Sequence, residues 1–114
     1  MPYSINDHFA NKDASVRAIY DAILRTAKSW GPVKQEAKKT SIHLVRNTAF
    51  AGVATRKSSL ILTIKSQTDL KNRRVAKHQQ ASKTRWYLEI KVESSEAIDS
   101  ELTAWLKSSY ELSA

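Results

Sequence analysis

The sequence predicts an α+β fold: an N-terminal helix, a mainly antiparallel sheet of four to five strands and a C-terminal helix. The arrangement is two layers, with both helices on one face of the sheet. Three observations predict it. Apolar residues recur at helical spacing near the two ends of the chain. Between them, from Val33 to Val92, the apolar period is two. The connections in that middle part are mostly short and polar, as an antiparallel meander requires.

The first helix is DASVRAIYDAILRTAKSW, with Val16, Ile19, Tyr20, Ile23, Leu24 and Ala27 on one face. Asp13 stands at its N-cap, where a carboxylate can take free N–H groups. Gly31 and Pro32 stop it, because glycine accepts the left-handed position and proline cannot continue. Val33, Gln35 and Ala37 then form a short alternation. Ile42 and Leu44 point one way and Ser41, His43 and Val45 the other, before a turn at Arg46–Asn47. In the next strand Phe50, Gly52 and Ala54 alternate with Ala49, Ala51 and Val53. TRKSS is a polar hairpin turn, and SLILTIKSQ follows with Leu60, Leu62 and Ile64 on one face.

Asp69–Thr84 has little that could enter a core except Leu70 and Val75, and it reads as a long basic surface loop. RWYLEIKV resumes the alternation, with Trp86, Leu88, Ile90 and Val92 inward. In the last helix Ile98, Leu102, Trp105 and Leu106 share a face, with Tyr110 or Leu112 beyond them. Ser94 or Ser95 is its expected cap. Glu96, Asp99 and Glu101 suit the positive end of its dipole. The whole chain is expected to be one domain, with residues 1–12 an N-terminal arm and 68–84 the basic loop. The outer face of the sheet is expected to be solvated, carrying His43, Thr63, Lys65, Tyr87, Glu89 and Lys91.

Charge is distributed unevenly. The net formal charge is +8. Residues 25–91 carry sixteen basic and three acidic side chains, whereas residues 92–114 carry one basic and five acidic. The field of the middle segment attracts phosphates, nucleic acid or an acidic partner. No apolar run approaches the roughly 20 residues that span a bilayer, so no membrane partner is expected. The N-terminal stretch has no apolar signal region. There is no cysteine, which excludes disulfides, thiolate metal sites and thiol nucleophiles. A cytoplasmic location is the expectation.

Most catalytic patterns are missing. Gly31 and Gly52 lie in no phosphate loop or dinucleotide fingerprint. His8, His43 and His78 lack metal-ligand spacing, so neither a metal nor a cofactor is expected. Acids are scarce in the strands, and no serine sits in a nucleophile elbow. Trp30, Trp86, Trp105 and Phe50 read as core or core-edge residues, leaving Tyr87 as the best exposed aromatic.

KKTSIHLVRNTAFAGV, RKSSLILTI, RWYLEIKV and WLKSSYEL together resemble the small bacterial family catalogued as domain of unknown function 5655. The resemblance runs from about Asp7 to Leu112. Its marks are Lys38-Lys39-Thr40 before a strand, Phe50 followed by Ala51-Gly52, the Arg56-Lys57 turn and Tyr110 near the end. That family carries no assigned activity. Its members occur alone or attached to other domains, which implies an accessory or binding module. A partial similarity to the MmcQ/YjbR-like family rests on Trp86 and on Ser109-Tyr110-Glu111-Leu112. That family's α+β fold has been compared with DNA-binding proteins.

Three functional readings follow. The first is a module binding nucleic acid or another polyanion through Lys71, Arg73, Arg74, Lys77, Lys83 and Arg85, with Arg56 and Lys57 at a hairpin tip. The second is a small-ligand or protein-interaction domain using the open sheet face or a cleft beside the helices, with Lys39, His43, Phe50 and Tyr87 as its residues. The third is an enzyme using Lys39 or His43 for acid–base work.

Overall fold

Alternation decides which side of each strand meets the helices, and it does so across almost the whole sheet. The computed structural model describes residues 3–114. After a 3-10 turn at Asn6–Phe9 come α1 (Ala14–Lys28), β1 (Lys34–Ala37), β2 (Ile42–Val45) and β3 (Ala49–Thr55). They are followed by β4 (Leu60–Ser66), β5 (Val75–Ser82), β6 (Arg85–Val92) and α2 (Ser100–Glu111). The sheet has six strands in the order β1-β2-β3-β4-β6-β5, and every neighbouring pair is antiparallel.

The strand count exceeds the expected four to five because part of the expected basic loop is β5. An edge strand has one side unpaired, and here only Val75 is buried. Its polar residues therefore carry no apolar alternation to read. β4 and β5 both pair with β6, so they run parallel, and residues 67–74 form the connection that crosses β6. Leu70 of this connection packs against the core. The expected arm begins outside the described residues at Met1 and Pro2. Within it, the Phe9 ring packs at 5.2 Å from that of Tyr20.

Ile42, Leu44, Val53, Leu60, Leu62, Ile64, Leu88, Ile90 and Val92 form one core with Val16, Ile19, Tyr20 and Ile23 of α1 and Leu102, Leu106 and Tyr110 of α2. Helix ends depart from the sequence reading in detail. Asp13 is at the N-cap of α1 but caps nothing with its side chain. Its carboxylate accepts instead from Ser58 Oγ at 2.7 Å, and Lys57 Nζ lies 3.2 Å from it. α2 is capped not by Ser94 or Ser95, which stand at the start of a separate 3-10 turn, but by Asp99, whose Oδ1 accepts from Leu102 N at 3.0 Å. That hydrogen bond, with help from Arg74, holds the Asp99 carboxyl below the usual carboxylate range.

Tyr20 is fully buried, and its hydroxyl donates to Gln35 Oε1 at 2.6 Å. Burial pushes its pKa up to about 12. The folded state therefore favours the neutral phenol. That contribution is complete below the unfolded tyrosine pKa and is lost as pH rises from there through about 12. Roughly 2–3 kcal/mol is at stake for a shift of this size. Denaturant unfolding at pH about 9 and about 12 should show this loss in the parent and not in Tyr20→Phe. Equal losses in both would remove Tyr20 as the cause.

Candidate functional site on the open sheet face

The side of the sheet away from the helices is not flat, and the reason lies in β3. Its outward positions hold only small residues, Ala49, Gly52 and Ala54. The register places His43 of β2 on one side of Gly52 and Thr63 of β4 on the other. Two strand spacings separate these flanking residues, roughly 10 Å. The result is a trough of about 430 Å³ with a small-residue floor, rimmed by Ser41, His43, Thr63, Lys65 and Tyr87. A Cβ added at Gly52 would sit 3.6 Å from Thr63 Cβ, an ordinary contact. A larger side chain there would stand in the trough.

One end of the trough is shaped by a bulge. Leu44 pairs with Ala51 and Val45 with Ala49, so Phe50 is the extra residue. Its ring turns to the helix side and meets Tyr110 edge-on at 5.0 Å. The β3–β4 ladder runs no further than Ala51 and Ile64. Ser109 of α2 enters where the strands part, donating to Phe50 O at 2.5 Å and accepting from Lys65 N at 2.9 Å. Lys65 is only 9% exposed. Its Nζ donates to Thr48 Oγ1 at 2.9 Å and to Ser113 Oγ at 2.8 Å. Burial, and then the Arg85 guanidinium, push the Lys65 ammonium below the ordinary lysine pKa.

The residues expected at a ligand-binding face divide. His43 and Tyr87 line the trough. Phe50 also borders it but is 1% exposed and belongs to the core, because the bulge rotates it inward. Lys39 is exposed in the β1–β2 turn, away from the trough lining. Sequence reasoning placed Thr63 and Lys65 on this face without marking them as site residues. It also passed over Gly52 and Ala54, whose small outward side chains were the available signal.

The expected polyanion residues do not converge. Ser82 pairs with Arg85 at one end of β6, whereas Leu60, beside the β3–β4 turn, pairs with Val92 at the other. Lys83 and Arg85 thus lie about 20 Å from the Arg56–Lys57 turn along the strands. Arg74 bridges Asp99 and Glu101, each at 3.0 Å, and donates to Ala97 O at 2.7 Å. These bonds tie the crossing connection to the start of α2. Lys77 lies 4.0 Å from Glu89, and Lys57 is engaged by Asp13. Lys71 and Arg73 are exposed on the connection. His78, on the helix side of β5, bonds Asp69 through Nδ1. No group of three potential metal ligands occurs among the described residues, and no helix there is long and apolar enough to cross a membrane.

A family model described as Domain of unknown function (DUF5655) matches residues 5–113. The match bears out the first resemblance and adds nothing to the one with the MmcQ/YjbR-like family. No curated protein and no solved structure matches the chain.

Proposed function

We propose, for a chain that belongs to the DUF5655 family, a binding role in which the trough over β3 takes a small molecule. One observation carries the reading: a strand with glycine and alanine outward runs between rows with larger side chains, at the centre of a sheet face that, among the described residues, no helix covers. Ligand sites are concave and mostly apolar, with a few polar groups to fix orientation. The trough supplies the concavity, and His43, Thr63, Lys65 and Tyr87 supply the polar groups. The polyanion reading receives less support, since several of its cations hold carboxylates and the rest are split between the ends of the sheet.

Amide chemical-shift mapping with a library of small fragments tests the reading. Binders should perturb Gly52, Ala54, Thr63 and Tyr87 together. Binders that instead cluster at the β3–β4 turn or along β5, leaving β3 unmoved, would sink it.

A further inference from the structure

Lys65 is an unusual residue to bury at the end of an otherwise neutral trough. Among the described residues no carboxylate oxygen lies within 4.0 Å of its ammonium; the ion pairs of this chain involve other cations. Its two acceptors are hydroxyls, which leave one of the three N–H groups of an ammonium for another partner. Glu89, on the same face, lies within reach of Lys77 instead. Glu111, in the last turn of α2, is exposed. Arg85 stands on the same face, close enough to disfavour the Lys65 charge, and its own Nε is buried without an acceptor.

Folding alone does not explain this arrangement. The C-terminal end of α2, just before Ser113, places its negative pole near the ammonium and makes the charge tolerable. It does not neutralise it. A methionine could fill the same space without the cost of burying a charge. A buried cation beside a second cation, with no acid, at the end of a groove is the complement of an anion.

Building on the trough as a ligand site, we infer that its Lys65 end receives an anionic head group, a carboxylate or phosphate monoester. The apolar body of that small ligand lies over Gly52 and Ala54. The head group accepts the remaining Lys65 N–H, and the Arg85 guanidinium adds to the attraction.

Four probes of one chain length test this at fixed ionic strength: hexanoate, hexyl phosphate, hexanol and hexylammonium. Affinities are read from the Gly52 and Thr63 amides. Hexanoate and hexyl phosphate should each bind at least about tenfold tighter than hexanol, and hexylammonium weakest, as charge-assisted hydrogen bonding requires. Lys65→Met should erase that tenfold advantage in a protein that still folds. Should this variant fail to fold, the Lys65 ε-methylene resonances of the parent test the same contact: hexanoate should move their titration upward, and an unmoved titration would overturn the assignment. Hexanol binding in the trough as well as hexanoate would overturn the anion assignment while leaving the trough a ligand site. Failure of all four probes to perturb the trough would overturn both.

Discussion

Replacing Tyr110 with alanine should cost about 3–5 kcal/mol, the range for emptying a large aromatic site in a core. Domains of this size have roughly 5–15 kcal/mol in total, so the variant should sit near the edge of folding. Tyr110 is 2% exposed. Its ring meets Phe50 at 5.0 Å and Trp30 at 5.7 Å, and the Arg46 guanidinium covers it at 4.3 Å. Its hydroxyl donates to Pro32 O at 3.1 Å. One side chain thereby joins α2, the bulge of β3 and the segment after α1. The same hydroxyl explains Gly31, where a Cβ would come within 2.5 Å of it and where φ is +151°. Tyr110→Phe keeps the ring and loses only the hydrogen bond, so about 1 kcal/mol is expected. Urea unfolding of the three proteins measures both steps. A loss below about 1 kcal/mol for the alanine variant would show that Tyr110 does not hold these elements together.

The parts of this fold that were legible in the sequence are those where one face is buried and the other wet. β6 reads directly because Leu88, Ile90 and Val92 alternate with Tyr87, Glu89 and Lys91. The inner face of α1 reads for the same reason at helical spacing. β5 does not read, since an edge strand with only Val75 buried leaves no pattern behind. The alternation that groups Phe50 with Gly52 and Ala54 fails at the bulge, because a bulge depends on the register between two strands, which no local pattern records. The start of α2 was set too early, because the serines of Ser94–Ser95 cap as readily in principle as Asp99 does in fact. The candidate site was half visible. His43 and Tyr87 follow from alternation, and so does the placement of Lys65 on the outer face. Its burial arises from the parting of β3 and β4 around Ser109, a tertiary event.

Gly52→Val separates the trough from the fold that carries it. Gly52 sits mid-strand, and the position of its Cβ is free of clashes. A β-branched residue suits a central strand better than glycine, which costs roughly 0.5–1 kcal/mol in such positions. Thermal stability should therefore be unchanged or higher. The two added methyl groups would occupy the floor between His43 and Thr63. The measurement to make first is hexanoate affinity for the parent and for Gly52→Val, with both melting curves recorded. If the trough over β3 is the binding site, the variant loses at least about tenfold in affinity, as expected when ligand atoms and side chain compete for one space, while melting no lower than the parent. Parental affinity in a stably folded Gly52→Val would contradict it and place the ligand elsewhere on the molecule.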